Sequence, residues 1–450
     1  MHHTIRLRPV ALLIAIGLVG SPLGASAEDT LIEIYDRAQQ SDPQFQQAIA
    51  DRQAREEALP QARAGLRPDL SLTSRYTTRD TDSDIANEQG SEEDYRQLSY
   101  GVELTQPLYR FSQARSVDRA DALVEQARAD FASAEQALII RTAERYFSVL
   151  DAREAVDAAT ANLEAIERQL EQAEQRFEVG VIARTDVEEA RAQADLARAE
   201  RLQAEDDLET ERERLRELTD RAPARLRQVR EGVELNAPSP ADPDAWRTRA
   251  EDENRDLAAA RFAAEAAMEG VDVERGGRFP QIDLIASYDG LEQYDRDGRD
   301  RSSDEYSAGI QLNLPLYQGG GVSSNIREAQ FRYTEAREAL EEARRTVTRN
   351  AADAFRGVET ALERVRALEQ ARISTQAALD ATEAGFEVGT RTIVDVLNAQ
   401  REVFNAERDY QQARHAYLVN TLRLQQAAGA LSAEDLRGVD ALLGSGSDNG

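Results

Sequence analysis

The stretch GFEVGTRTIVDV, Gly385–Val396, has a near copy, RFEVGVIARTDV, Arg176–Val187, 209 residues earlier. In each copy a Gly interrupts two runs of helix-forming residues, so each reads as a tight turn at the tip of a helical hairpin. A second appearance of one turn in a 450-residue chain calls for a repeat search over the whole sequence. TQPLYR (Thr105–Arg110) recurs as NLPLYQ (Asn313–Gln318), and RPDLSL (Arg67–Leu72) as FPQIDL (Phe279–Leu284). The helical pattern around Ala38–Ala54 returns around Ala250–Ala266. The spacing stays between 208 and 212 residues, which is the mark of a tandem duplication. The expected organisation is a signal peptide at 1–27, a first repeat at 28–235, a linker at 236–244, a second repeat at 245–436 and a tail at 437–450.

From Arg110 to Val179 the chain contains neither Gly nor Pro and is filled with Ala, Glu, Arg, Gln and Leu. At 1.5 Å per residue such a run spans about 100 Å. After Gly180 a second helix is expected from Thr185 to about Thr219, with Thr185 and Glu188 in capping-box spacing. The second half repeats the plan, with Val322–Ala384, the VGTRT turn, and Ile393 to about Ala428. Apolar residues recur at heptad-like spacing, as in Leu163, Ile166, Leu170, Ala173 and Phe177. Narrow seams of this kind suit helices packed side by side and do not build a thick core.

Between the helices the period changes to two. SYGVELTQPLY puts Tyr100, Val102 and Leu104 on one face, and YSAGIQLNLPLY does the same with Ala308, Ile310, Leu312 and Leu314. Leu70, Leu72 and Tyr76 are in phase in the strand that starts at Asp69, as are Leu284 and Tyr288 in the one that starts at Ile282. One reading is a sheet on a soluble core. The other is a membrane barrel: the opposite faces carry Glu103, Gln311 and Asn313, the loop tips are acidic, and Tyr ends several strands. Four strands cannot close a barrel whose smallest form has about eight, so the membrane reading requires several copies of the chain.

Arg6 and Arg8, the apolar run Val10–Val19 and the small residues Ala25–Ala27 together read as an export signal that leaves Glu28 as the first mature residue. The sequence has no Cys, and His415 is its sole His beyond residue 27, so thiolate and zinc constellations cannot be assembled and an enzyme is not expected. No cofactor is expected either. All 55 basic residues are Arg, and the net charge of −29 becomes −31 once Arg6 and Arg8 leave with a segment that contains no acid. That balance disfavours nucleic acid and anionic lipid surfaces as partners. Asp80–Asp84 opens like a calcium loop, but Ile85 and Ser91 stand where Gly and Glu belong, so no metal site is assigned.

Taken together, the export signal, the duplicated halves, the QPLY/LPLY strand exits and both Gly-centred turns resemble the TolC family of outer-membrane efflux and secretion channels. The resemblance covers roughly Glu28–Leu436. It implies a mainly α fold with a membrane β-barrel portion, in which long antiparallel α-helical hairpins form an α-barrel continuous with a shared trimeric β-barrel. The implied function is an exit duct of a tripartite efflux or type I secretion system in the outer membrane, with a periplasmic extension. Its implied partners are a homotrimer, a periplasmic adaptor, an inner-membrane pump and outer-membrane lipid. By the same resemblance Asp395 and Asn398 would ring the pore constriction. Arg391, Thr185, Asp186 and Phe386 would latch the tip, and Gly180, Val181, Gly389 and Thr390 would dock the adaptor. Phe386 lacks the hydroxyl of the family's tyrosine, and Asn398 replaces an acid. The residues alone leave a helix-stabilising role open for Asp395. A competing reading, a periplasmic coiled-coil scaffold or adaptor without a pore of its own, explains the hairpins but leaves the four alternating strands without a use.

Overall fold

The computed structural model describes residues 28–79, 95–223, 225–295 and 300–444; the export signal and the calcium-like loop therefore lie outside the described residues. Three short helices come first, α1 (Leu31–Ser41), α2 (Pro43–Glu56) and α3 (Ala58–Ala64). They are followed by β1 (Asp69–Arg79), β2 (Tyr95–Arg110), and the hairpin of α4 (Phe111–Glu178) and α5 (Arg184–Thr219). A two-residue strand, β3 (Gln228–Val229), leads to α6 (Pro243–Glu253) and α7 (Arg255–Arg275). The second half then repeats the first with β4 (Gln281–Asp295), β5 (Arg301–Asn313), α8 (Gly321–Glu387) and α9 (Ile393–Ala427). The described chain ends in α10 (Ala433–Asp440) and β6 (Leu443–Gly444).

The 68 residues of α4 and the 67 of α8 each run for about 100 Å. No one neighbouring helix covers either along its full length. Instead α5 covers one part of α4 while α2, α3 and α7 cover the rest, and α9, α7 and α6 share α8 in the same way. The seams are narrow and rich in Ala: Ala190, Ala194 and Ala197 of α5 are buried, as are Ala351, Ala352 and Ala361 of α8. Of the seam read from sequence, Leu163, Ile166 and Ala173 are buried and Leu170 is half-buried, whereas Phe177 is exposed.

Among the described residues the thickest core surrounds the middle of α4. Leu138, Tyr146, Phe147 and Leu150 pack there with Leu31 and Ile34 of α1, Leu215 of α5, Trp246 of α6, Leu422 of α9 and Leu436 of α10. Fully burying an aliphatic or aromatic side chain of this size contributes about 1.5–3 kcal/mol, so this belt anchors helices that otherwise share thin seams. His415 belongs to it. Its Nδ1 lies 2.6 Å from Asp151 Oδ1 and its ring stacks on Phe147 at 5.2 Å. The lone His is thus a satisfied core residue.

The segment read as a linker is pinned to this belt. Tyr417 donates from its hydroxyl to the Asn236 carbonyl at 2.6 Å, and Trp246 Nε1 donates to the Pro240 carbonyl at 2.8 Å. Residues 437–444, read as the start of a tail, are folded: Val439 and Leu443 are buried, and β6 pairs antiparallel with β3.

Candidate functional site

The four long strands form one antiparallel sheet in the order β1-β2-β4-β5. Its register sorts the side chains into two faces. Leu70 sits opposite Leu104, Leu72 opposite Val102, Val102 opposite Tyr288, Leu284 opposite Ile310, and Tyr288 opposite Tyr306. A sheet on a water-facing protein would cover this apolar face with core. Here it is bare: Leu72 is 74% exposed, Ile310 70% and Tyr306 78%.

The other face is polar, with Ser71, Glu103, Ser287 and Ser307 in one row and Thr73, Gly101, Asp289 and Glu305 in the next. Ser287 Oγ is 2.9 Å from Ser307 Oγ and donates to Asp289 at 2.9 Å. Aromatic pairs bracket the apolar band. Tyr288 packs on Tyr100 and Tyr306 at 6.2 and 4.8 Å, and nine residues earlier in the chain Phe279 stacks on Phe111 at 4.5 Å. Nine residues of strand rise about 30 Å, which a tilt of about 40° reduces to about 23 Å, close to the ~25 Å apolar band of outer-membrane barrels.

Gly290 is needed for this arrangement, since a Cβ there would lie 2.3 Å from the Tyr100 ring. Pro107 sits at a register shift in β2, the position in a sheet that tolerates a missing donor. Just beyond it, Arg110 makes a two-pronged bond to Asp283 at 2.9 and 3.0 Å, tying the sheet to the start of α4. Both outer strands, β1 and β5, keep an open edge among the described residues. Long open edges with a bare apolar face are avoided by soluble proteins. No helix of the described residues is long and apolar enough to cross a membrane.

At the far end of the hairpins both turns are Schellman motifs. In the first, Gly180 N–H donates to the Phe177 carbonyl at 2.9 Å and Val181 N–H to the Arg176 carbonyl at 2.9 Å. In the second, Gly389 N–H donates to Phe386 at 3.1 Å and Thr390 N–H to Gly385 at 2.8 Å. Gly180 and Gly389 adopt φ of 79° and 76°, the left-handed region that an L side chain enters at a cost of about 1–2 kcal/mol. Val181 and Thr390 are exposed beside them.

The helix that follows each turn is capped differently. In α9, Thr392 caps: its amide and hydroxyl donate to Asp395 Oδ2 at 2.9 and 3.0 Å, and Asp395 N–H donates back to Thr392 Oγ1 at 3.2 Å. These bonds from Thr392, with the nearby Arg391 charge, hold the Asp395 carboxyl below the usual carboxylate range. In α5 the cap position is Ala183, not Thr185. The helix starts at Arg184, one residue earlier than expected, and Asp186 Oδ2 accepts the Ala183 amide at 3.3 Å. Ala offers no side-chain acceptor, so only half of the box forms.

The proposed pore and latch residues come together in part. Asp395 lies in the first turn of α9, and Asn398 lies one turn further on, where it accepts a bond from Arg401 Nη2 at 2.9 Å. Asp186, Phe386 and Arg391 line one cavity of about 200 Å³ between the two turns, together with Gln172, Arg176 and Ile182. Thr185 does not line it. Among the described residues no hydrogen bond or ion pair joins Arg391 to Thr185 or Asp186. Phe386 is half-buried against Leu163, Ile166, Ile393 and Leu397, with the Arg176 guanidinium 5.1 Å from its ring centre. Sequence reasoning missed Arg176 and Arg401. Arg401 was within reach, three residues after Asn398 on one helix face. Arg176 meets Phe386 across 210 residues, and no local pattern signals that contact.

A bare apolar sheet on long helical hairpins with paired tip turns defines a membrane-anchored duct, and comparison with known proteins agrees. The chain belongs to the family described as Outer membrane efflux protein, which matches it twice, at residues 34–221 and 246–430. Within that family it is 35% identical over 441 residues to Outer membrane protein TolC of Vibrio cholerae serotype O1, covering 97% of this chain and 98% of that one. It is 34% identical over 440 residues to Outer membrane protein TolC of Escherichia coli K12, covering 94% and 87%. The fold superposes on the CmeC outer membrane channel of Campylobacter jejuni with a TM-score of 0.76, over 98% of each chain at 15% identity. The protein is a TolC-family outer-membrane channel with a periplasmic extension, an exit duct of the efflux and type I secretion kind. Proteins of this family are channels that work with periplasmic adaptors and inner-membrane pumps.

Proposed function

We propose that three copies of the chain assemble into one duct. The observation that carries this reading is the four-stranded sheet with a bare apolar face and two open edges. Pairing β5 of one copy with β1 of the next gives twelve strands, enough to close a barrel with the polar rows of Glu103, Asp289 and Glu305 inside. The long helices then continue the wall through the periplasm, built from repeats at 28–235 and 245–436.

At the tip, Asp395 forms a ring of three carboxylates that favours cations. Asn398 adds no charge, and Arg401 beside it weakens the field, so selectivity is modest. Asp186, Phe386 and Arg391, which line one cavity between the two turns, form the latch. The exposed turns at Gly180, Val181, Gly389 and Thr390 receive the adaptor. Substrate choice rests with the inner-membrane pump.

The test is the mass of the detergent-extracted protein by light scattering after membrane fractionation. Three chains per particle from the outer-membrane fraction supports the reading. A monomer in the periplasmic fraction would replace it with the scaffold reading.

A further inference from the structure

The two turns are sequence copies, yet their residues are not interchangeable. Phe177 and Phe386 occupy equivalent positions, and the residues before them are Arg176 and Gly385. At Gly385 a Cβ would lie 2.8 Å from Arg391 Cγ. Its carbonyl accepts three bonds, from the amides of Thr390 and Arg391 at 2.8 and 3.2 Å and from the Thr390 hydroxyl at 3.0 Å. The second turn is therefore closed on itself, with the Arg391 stem lying where a side chain at 385 would go.

The first turn has no such filling. The Arg176 carbonyl accepts only the Val181 amide among the described residues, and its side chain is free to leave the turn. It crosses to the other hairpin, where its guanidinium lies 5.1 Å from the centre of the Phe386 ring. Phe177, the equivalent ring, receives no such contact among the described residues and is 42% exposed.

We propose that Arg176 is a positioning residue of the closed tip, holding the end of α8 against the end of α4 through a cation–π contact with Phe386. The proposal rests on the reading of the paired turns as a gate. A guanidinium over an aromatic ring at an accessible site changes an equilibrium by about two- to five-fold. The contact depends on the ring face rather than on a polar edge, so Phe and Tyr are equivalent partners and Leu is not.

The test uses the full chain reconstituted in planar bilayers, with the open fraction of single channels as readout. Arg176→Gln and Phe386→Leu should each raise the open fraction about two- to five-fold, while Phe386→Tyr, which keeps the ring face, should not raise it. The double variant should open no more than the stronger single one, because both remove one contact. Far-UV melting should not change in any of them. Single variants that leave the open fraction unchanged, or a double variant whose effect is the product of the two, would overturn the role of Arg176. Absence of channels in the wild type would instead overturn the duct.

Discussion

The sheet's bare face makes the sharpest demand. Ile310 and Gln311 are neighbours in β5 whose side chains point to opposite faces; Ile310 is opposite Leu284 on the apolar side, and Gln311 is opposite Asp283 on the polar side. Leu284 is four residues from Tyr288 and five from Phe279, so its row lies midway between the aromatic levels. Four residues rise about 13 Å along the strand, or about 10 Å along the barrel axis at a tilt of about 40°. That puts Ile310 near the bilayer midplane, where Arg on the lipid face costs about 2–4 kcal/mol. In the proposed three-copy barrel the loss would be about 6–12 kcal/mol per assembly. Gln311→Arg adds the same charge to a water-filled lumen and should cost little. The assay is the share of each variant in the carbonate-resistant outer-membrane fraction. Ile310→Arg should be depleted and Gln311→Arg should match the wild type. Equal behaviour of the two would refute the assignment of the faces.

Other consequences concern single residues. Gly429 has a φ of 78°, and a Cβ there would lie 2.3 Å from the Glu253 carbonyl oxygen and 2.5 Å from Asn254 Cα, backbone that cannot swing aside. Gly429→Ala should therefore lose about 3 kcal/mol or more, whereas Gly389→Ala, with the same backbone need but open space around it, should lose about 1–2 kcal/mol; a smaller melting shift for Gly429→Ala than for Gly389→Ala would contradict this. The depressed carboxyl of Asp395 contributes stability that is present above the ordinary carboxylate range and lost as pH falls through it. Hydrogen exchange of the first-turn amides of α9 should accelerate, relative to the intrinsic rate, below about pH 4, and constant protection down to pH 3 would exclude the capping role. Glu154 has the opposite sign: burial raises its carboxyl, so its charge opposes folding at neutral pH even though Gln228 Nε2 donates to it at 3.1 Å. Glu154→Gln should raise the melting temperature at pH 7, and the gain should disappear as pH falls into the range where Glu154 is protonated; a lowered melting temperature at pH 7 would reverse the assignment.

Much of this architecture is legible in the residues because it is local. The long helices follow from runs without Gly or Pro, the sheet faces from period-two alternation, and the turns from a Gly that must take positive φ. The strands run longer than the alternation shows: β2 and β4, with 16 and 15 residues, extend into segments whose polarity no longer switches cleanly. The central belt was missed for a different reason. It gathers Leu31, Tyr146, Trp246, Leu422 and Leu436 from five separate helices, and its strands β3 and β6 have two residues each, too short to leave a pattern. At the tip Thr185 has the residue type and spacing of a cap, but the helix starts one residue earlier, after the Schellman turn at Gly180, and the cap falls on Ala183. Arg176 over Phe386 is a tertiary contact between the two repeats, and the duplication hides it, since equivalent turns suggest equivalent roles.

If the assembled protein encloses a water-filled path through the outer membrane, the purified protein conducts ions across a planar bilayer, and single-channel recording reads that conductance. Discrete current steps of uniform size, with a weak preference for cations from the proposed Asp395 ring, are the predicted result. A protein that associates with the bilayer, or stays in solution, without producing steps would contradict it.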